Sequence, residues 1–334
     1  MQKDFSQLQP DLVLDLVESY GYQVSGQSYP LNSYENRVFQ VGLEDGGSVI
    51  AKFYRPEHWS KQQIAEEHSF ADRLYKADVQ IAENIVNDNA DSVIELGGYL
   101  CSLQKKIIGR VPELDDLDSM FQLGQLIGSM HLQGKDWLFM HRRSFNIVRM
   151  GCTGSAYLAE NWIPKKLQGR YTSIIMELLS AIADCLPDDF DSHFIGAHGD
   201  CHLSNVLMSR DGPVMLDFDD CMMAPAVQDI WMFLAGDQPQ QKRQLSELIE
   251  GYEESTEFPH YQLEWIPAMR ALRVINYTAW LARRWSDPAF PLAFPWFDTE
   301  DYWLQHLKQL QQLVNDFNSE QFSSKGSGEV SGNR

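Results

Sequence analysis

Apolar and polar positions follow a strand-like pattern in the first hundred residues. Within residues 22–54, the runs RVFQVGL and SVIAKFY flank the turn EDGG, which is typical of a β-hairpin. A second hairpin is predicted around Gly97 and Gly98, in SVIELGGYLCSLQKKI. Between the hairpins, residues 60–76 carry apolar side chains at helical spacing, with Ser60 as the N-cap. A short helix is expected at 10–20.

Beyond Gly109 the spacing of apolar residues becomes helical. Five segments carry apolar stripes: FQLGQLIGSMHLQG, TSIIMELLSAIADCL, QKRQLSELIEGYEES, PAMRALRVINYTAWLARRW and YWLQHLKQLQQLVNDF. A further small hairpin, VLMSRDGPVMLDFDD, ends on acidic residues. The pattern predicts an α+β protein, with a β-rich lobe at 1–105 and a larger helical lobe at 106–318. The Ser/Gly-rich segment 319–334 is expected to be disordered.

The charge balance narrows the range of partners. A formal net charge of -20 argues against nucleic acid or an anionic membrane surface as the main partner, because both require a basic footprint. The five cysteines are spread out and form no CxxC pair, so no disulfide framework is expected. No stretch approaches 18 apolar residues, and the first residues lack an apolar signal core. We therefore expect a cytoplasmic monomer that does not enter a membrane.

The stretch HGDCHLSNVL, residues 198–207, concentrates polar side chains between apolar ones. A transition-metal site is one interpretation of its histidines, aspartate and cysteine, although no further His-rich segment would complete the ligand set. A polar turn that satisfies its own backbone is another. The spacing favours a third interpretation, since Asp200 and Asn205 stand five apart and Asp217 follows twelve residues later in MLDFDD.

This spacing is the one that a phosphotransferase requires. One carboxylate orients the proton of the attacking hydroxyl, while an amide oxygen and a second carboxylate hold Mg²⁺ on the phosphates of ATP. The kinase pattern H-R-D-x-x-x-x-N followed by D-F-G has its Asp and Asn at the same separation. We therefore predict Asp200 and Asp217 as catalytic residues, with Asn205 and Asp217 as magnesium ligands.

A kinase also needs an upstream lysine on a strand, paired with a glutamate on the following helix. SVIAKFY supplies Lys52, and the helix supplies Glu67, which we prefer over Glu66 because it precedes Phe70 by about one helical turn. Taken alone, Lys52 is more typical of an edge-strand lysine that reaches out to water. Its position in order with the downstream residues favours a role in binding the phosphates.

The expected glycine-rich loop is missing between the first two strands. In its place stands LNSYENR, residues 31–37, in which Asn and Ser tolerate turn geometry and donate hydrogen bonds. Ser33 and Asn36 thus become candidate contacts to ATP. An ordinary polar loop is the alternative for each residue taken singly.

Taken together, LNSYENR, KFYRPE, EEH, HGDCHLSNVL, LDFDD and PAVQDIW resemble the aminoglycoside phosphotransferase and choline kinase superfamily. Within it, the chain is similar to the stress response kinase A family of bacterial cytoplasmic serine/threonine protein kinases, over about residues 10–303. The resemblance implies a bilobal, protein-kinase-like fold, with Asp200 as proton acceptor and Ser33 at the ATP site. It also implies that His198 organises the catalytic loop and that Asp229 supports it, with an acid at the N-terminus of a helix as the alternative for Asp229.

We therefore expect an ATP- and Mg²⁺-dependent kinase that phosphorylates serine or threonine on proteins in the bacterial stress response. A small-molecule kinase remains an alternative, because His202 is shared with superfamily members that have small substrates. A nucleotide-binding pseudokinase is a second alternative. The aromatic residues of 280–303 either line an acceptor cleft or, as is usual at helical spacing, pack in a core.

Overall fold

Contacts within the computed structural model divide the described residues, 4–318, into two units. The first unit comprises residues 4–144 and 194–258, and the second comprises residues 145–193 and 259–318. The sequence predicted a boundary between two lobes after Lys105. The division by contacts falls at other positions, and the lobe boundary stays a prediction. The segment predicted to be disordered, 319–334, lies outside the described residues. Across residues 4–318, no helix is both long and apolar enough to cross a membrane.

The first unit contains a sheet, two strand pairs and four helices. In chain order these are α1 (Pro10–Glu18), β1 (Val24–Leu31), β2 (Arg37–Leu43), β3 (Ser48–Phe53), α2 (Lys61–Lys76), β4 (Asn84–Ile85), β5 (Ile94–Leu96), β6 (Tyr99–Lys105), α3 (Leu117–Gly134), β7 (Phe194–Ala197), β8 (Val206–Ser209), β9 (Gly212–Met215), β10 (Met222–Pro225) and α6 (Gln238–Glu253). The second unit contains a π-helical segment (Val148–Thr153), α4 (Gly154–Asn161), α5 (Gln168–Cys185), α7 (Ile266–Arg284), α8 (Ala289–Ala293) and α9 (Glu300–Asn318).

The sheet is antiparallel, in the order β1-β2-β3-β6-β4, with β5 pairing with β6. Both predicted hairpins are present, β2–β3 around EDGG and β5–β6 around the two glycines. Helix α1 packs its buried face, Val13, Leu16 and Val17, against the sheet residues Val41, Val49, Ala51 and Phe53. Lys52 lies in the central strand β3, where Val38 and Ser102 are its neighbours on β2 and β6.

Helix α2 begins with the predicted cap. The side chain of Ser60 accepts a hydrogen bond from the main-chain N–H of Gln63, and the side chain of Gln63 accepts one from Ser60 N–H. This capping box satisfies two N–H groups that the first turn cannot pair internally. The face of α2 that carries Ile64, Glu67 and Phe70 is buried, so a charged residue lies among apolar ones.

Helices α3 and α6 approach each other closely because glycines line their interface. A Cβ on Gly124 would lie 2.1 Å from the carbonyl oxygen of Leu248, and one on Gly251 would lie 2.0 Å from that of Phe121. Any larger side chain would force the helices apart. The close approach lets the Tyr252 hydroxyl of α6 reach Nδ1 of His131 on α3, at 3.1 Å.

In the second unit, aromatic side chains pack together around Phe297. The ring centroid of Phe297 lies 5.1 Å from that of Trp162, 5.0 Å from Trp285 and 5.3 Å from Trp303. Phe297 and Trp303 are buried. For these residues the core interpretation of the aromatic segment is confirmed.

His306 of α9 gives a prediction about acid stability. Its ring is 2% exposed and stacks near Tyr171 and Tyr302, and neither ring nitrogen has a hydrogen-bond partner within residues 4–318. Burial lowers the pKa of His306 to about 4. Between that value and the unfolded pKa of about 6.5, the unfolded state binds more protons, so this residue destabilises the fold as the pH falls.

We predict that His306→Phe unfolds at a higher denaturant concentration than the wild type. The gain in the free energy of unfolding should be larger at pH 5 than at pH 7, by about 2 kcal/mol. Urea titrations followed by tryptophan fluorescence at the two pH values measure this difference. An equal gain at both pH values would show that the pKa of His306 is not lowered in the folded protein.

Candidate active site

The loop that follows β7 is shaped by a glycine. Gly199 has φ +83, and a Cβ at this position would lie 2.3 Å from the carbonyl oxygen of Asp220. Both facts exclude larger residues, because the left-handed backbone and the close approach each favour glycine. The middle position of His198-Gly199-Asp200 is therefore fixed by packing, and the turn presents Asp200 beyond it.

Asp229 supports this loop from beneath. It is completely buried, and its carboxylate accepts hydrogen bonds from the main-chain N–H groups of His198, at 2.7 Å, and Gly199, at 2.8 Å. A third bond comes from Nε2 of His131, at 3.0 Å. Burial alone would raise the pKa of Asp229, but the His131 hydrogen bond and the nearby donors lower it below its usual range. The predicted supporting contact of Asp229 is confirmed.

His198 connects the loop to the strand that leads to Asp217. Its Nε2 donates to the carbonyl oxygen of Leu216 at 2.8 Å, and its Nδ1 accepts from Asp200 N–H at 3.3 Å. Both nitrogens of this buried ring are therefore engaged with the main chain. This arrangement confirms that His198 organises the loop, and it disfavours the alternative in which His198 binds a transition metal.

A main-chain hydrogen bond brings the segments of the two predicted metal ligands, Asn205 and Asp217, next to each other. Its carbonyl oxygen accepts from Leu216 N–H at 2.8 Å, and its side-chain Nδ2 donates to the Asp200 carbonyl oxygen at 3.0 Å. The amide oxygen of Asn205 is thus the side-chain atom left for a cation. An amide oxygen and the Asp217 carboxylate suit Mg²⁺, which takes few protein ligands and keeps several waters. His202 Nε2 lies 3.3 Å from an oxygen of Asp200.

Lys52 is buried between two carboxylates. Its side chain is 4% exposed, and its Nζ lies 2.8 Å from Asp217 Oδ1 and 2.7 Å from Asp219 Oδ1. Burial by itself would lower the pKa of Lys52, but the two carboxylates raise it well above its ordinary value. The interpretation of Lys52 as a lysine reaching out to water is therefore wrong.

The two carboxylates that share this ammonium differ in their surroundings. Asp217 keeps 49% of its side chain exposed, and Lys52 lowers its pKa against the effect of burial. Asp219 is mostly enclosed, and burial raises its pKa despite the same lysine. Asp217 also has a left-handed backbone, with φ 54, which is uncommon outside glycine and typical of functional turns. Asp217 is thus the more accessible member of the pair, and its pKa is shifted in the opposite direction to that of Asp219.

The kinase pattern led us to expect an ion pair between Glu67 and Lys52, but the two side chains do not pair directly. Within residues 4–318, the ion-pair partner of Glu67 is Arg142, whose Nη1 lies 3.2 Å from Oε2. Lys52 acts on Glu67 only through its charge. Burial first, and then the charge of Asp219, raise the pKa of Glu67 to about 8. The neighbouring Glu66 turns elsewhere, onto main-chain N–H groups of residues 140–142.

The loop between β1 and β2 is held by buried hydrogen bonds. The Asn36 side chain is 2% exposed, donates to Asp219 Oδ2 and accepts from Arg55 N–H at 3.0 Å. Arg55 also donates to the carbonyl oxygens of Tyr34 and Glu35. Asn36 is thus engaged in holding Asp219, and a direct contact from it to phosphate stays a prediction. Ser33 lies half-buried in the same loop, and its contact to ATP is likewise untested.

Sequence reasoning missed three residues of this site. Asp219 was visible in LDFDD but had no assigned role. Arg142 and His131 carried no motif signal, because arginines in loops and single histidines in helices are common. What links them to the site is long-range contact, to Asp219 and Asp229 respectively.

Comparisons with known proteins agree with this geometry. A model of the phosphotransferase enzyme family matches residues 29–263. Stress response kinase A of Escherichia coli K12 is 40% identical over 309 residues, which cover 90% of this chain and 91% of that protein. Serine/threonine protein kinase RdoA of Salmonella typhimurium is 39% identical over 307 residues, covering 90% of both chains.

Solved structures share the fold at lower sequence identity. The amicoumacin kinase hAmiN, in complex with AMP-PNP, Ca²⁺ and Ami, matches with a TM-score of 0.73 and 20% identity, over 92% of this chain and 93% of its own. A microcompartment-associated aminopropanol kinase matches with a TM-score of 0.70 and 16% identity, over 93% and 97%. The predicted kinase-like α+β fold is therefore confirmed.

The raised pKa of Glu67 predicts how a neutral replacement behaves. Since its folded pKa of about 8 exceeds the ordinary value of 4.5, the folded state binds the extra proton, and the stability it brings is lost as the pH rises through 8. Glu67→Gln mimics the protonated form and can still accept from Arg142. We predict that the free energy of unfolding of this variant, relative to that of the wild type, rises by about 1 kcal/mol per pH unit between pH 5 and 8. Urea titrations measure this difference, and a difference that stays the same across this pH range would contradict the raised pKa of Glu67.

Proposed function

The chain belongs to the phosphotransferase enzyme family and, within it, to the stress response kinase A family, and from this premise we propose that it transfers the γ-phosphoryl group of ATP to serine or threonine hydroxyls of proteins. The observation that carries the chemistry is the joint position of Lys52 and Asp217, which lie 2.8 Å apart beside the loop of Asp200 and Asn205. The protein acceptor is supported by the naming of RdoA as a serine/threonine protein kinase. A cytoplasmic role in the stress response is part of the same proposal.

Asp200 is proposed as the residue that receives the acceptor hydroxyl. Its main-chain N–H is held by His198 and its carbonyl oxygen by Asn205, so the residue is fixed from both sides. A carboxylate fixed in this way orients the hydroxyl and accepts its proton as the bond to phosphorus forms. The ring of His202 lies beside this carboxylate, with Nε2 3.3 Å from one of its oxygens.

The phosphates of ATP are proposed to meet Lys52 at the edge of the buried cluster. Its permanent positive charge, secured by Asp217 and Asp219, screens phosphate oxygens in a region from which water is largely excluded. Asn205 and Asp217 would hold Mg²⁺, which neutralises charge on the β- and γ-phosphates when bound. Ser33 and Asn36 are proposed to shape the loop that covers the nucleotide, and Glu67 to keep helix α2 in place beside it.

We predict that purified protein, given γ-labelled ATP and Mg²⁺, labels serine or threonine of a basic acceptor protein. Asp200→Asn keeps the shape of the side chain but removes the base, so kcat should fall by at least about 100-fold. Asp211→Asn, on the exposed turn between β8 and β9, is the matched control and should keep full activity. Phosphoamino-acid analysis of the labelled product identifies the acceptor hydroxyl.

Three outcomes would contradict the proposal in different ways. Label that enters amino alcohols, sugars or aminoglycosides but no protein would place the chain among the small-molecule kinases. Tight ATP binding without transfer to any acceptor would make it a pseudokinase. Equal activity of wild type and Asp200→Asn would remove Asp200 from the reaction.

A further inference from the structure

Arg142 is a buried arginine that contacts the segment of the predicted metal ligand. Its Nε donates to the carbonyl oxygen of Cys221 at 2.8 Å, and its Nη2 donates to that of Asp219. Both carbonyls belong to the short segment 217–221, which carries Asp217 and Asp219. The guanidinium thus holds the main chain of this segment at two points.

The same guanidinium holds helix α2. Its Nη1 lies 3.2 Å from Glu67 Oε2 and 3.4 Å from the carbonyl oxygen of Gln63. Its plane also lies over the ring of Trp59, with the central carbon 4.2 Å from the ring centroid. Arg142 therefore joins helix α2 to segment 217–221, two elements that are far apart in sequence.

The position of Arg142 is itself fixed by hydrogen bonds with two side chains of helix α2, those of Glu66 and Gln63. The carboxylate of Glu66 accepts three consecutive main-chain N–H groups, those of Met140, His141 and Arg142, at 2.5, 2.9 and 2.7 Å. The side chain of Gln63 donates to the His141 carbonyl oxygen at 2.9 Å. Segment 140–142 is thus hydrogen-bonded to α2, and Arg142 connects it to segment 217–221.

The chemistry of the side chain explains why arginine occupies this position. Arginine donates in several fixed directions and stacks on an aromatic ring, whereas lysine is a single flexible point charge. Here the fork serves Glu67 on one side and two carbonyls on the other, all of them buried. A lysine would keep the charge opposite Glu67 but would leave at least one buried carbonyl without its donor.

We propose that Arg142 is a positioning residue for phosphoryl transfer, which sets the place of Asp217 by fixing segment 217–221 against helix α2. The inference rests on the function proposed above, since it assigns Asp217 to the metal. Residues that orient metal ligands typically change metal affinity 10- to 100-fold when they are replaced. Arg142 would act on the metal in this way, without touching ATP or the acceptor.

The test compares Arg142→Lys with Arg143→Lys in the full chain. Arg143 is exposed and lies over the same Trp59 ring, so it controls for loss of an arginine next to Trp59. For Arg142→Lys we predict that the Mg²⁺ concentration giving half-maximal activity rises about tenfold and that kcat falls about 10- to 100-fold. Affinity for ATP in EDTA, measured by calorimetry, should stay at the wild-type value. Arg143→Lys should match the wild type in all three.

Thermal unfolding separates positioning from simple loss of structure. If Arg142→Lys lowers the melting temperature but keeps wild-type kcat and Mg²⁺ dependence, the residue serves only stability and the proposal is overturned. If wild-type protein transfers phosphate to no acceptor, the proposed function fails instead. In that case the Mg²⁺ dependence of ATP binding still decides the role of Arg142, because it requires no acceptor: an unchanged dependence in Arg142→Lys overturns it.

Discussion

The buried ammonium of Lys52 is the interaction on which the rest of the site depends. A lysine that is 4% exposed keeps its charge only if carboxylates offset the loss of hydration, and Asp217 and Asp219 do this at 2.8 and 2.7 Å. Removing one partner from a buried pair such as Lys52 and Asp219 typically costs about 3–5 kcal/mol, because the other charge is left uncompensated. The carboxylates of segment 217–219 are therefore held in place by a residue of the central sheet strand.

Other buried polar side chains of the first unit also need a partner that offsets their loss of hydration. Asp219 is itself enclosed, and it is satisfied by Lys52 and by Asn36 from the β1–β2 loop. Glu67, equally buried, accepts a hydrogen bond from Arg142. Asp229 orders the loop of His198 and Gly199 in a similar way, because it accepts hydrogen bonds from their two main-chain N–H groups and from His131. Each of these buried acidic side chains thus orders a different segment, and the segments together form the candidate site.

Sequence reasoning reached the parts of this site that are coded locally. Pattern and spacing record the features that depend on neighbouring residues: the N-cap at Ser60, the hairpin that ends before Asp217, the strand position of Lys52 and the spacing of Asp200 and Asn205. The partner of Glu67 could not be found in this way. Arg142 lies 75 residues further along the chain, and only tertiary packing selects it over Lys52. The same holds for His131, whose bond to Asp229 joins residues that are 98 positions apart in the chain.

The most direct test of the central role of Lys52 is the affinity for MgATP of Lys52→Met, measured by isothermal titration calorimetry together with the melting temperature. Methionine keeps most of the length of the side chain but removes the charge, and Lys242→Met, on the exposed face of α6, is the control. We predict that Lys52→Met binds MgATP about 10- to 100-fold more weakly, as expected for a lost charge-assisted hydrogen bond, and melts at a lower temperature. Wild-type affinity for MgATP in Lys52→Met would show that the buried pair is structural and that the phosphates bind elsewhere.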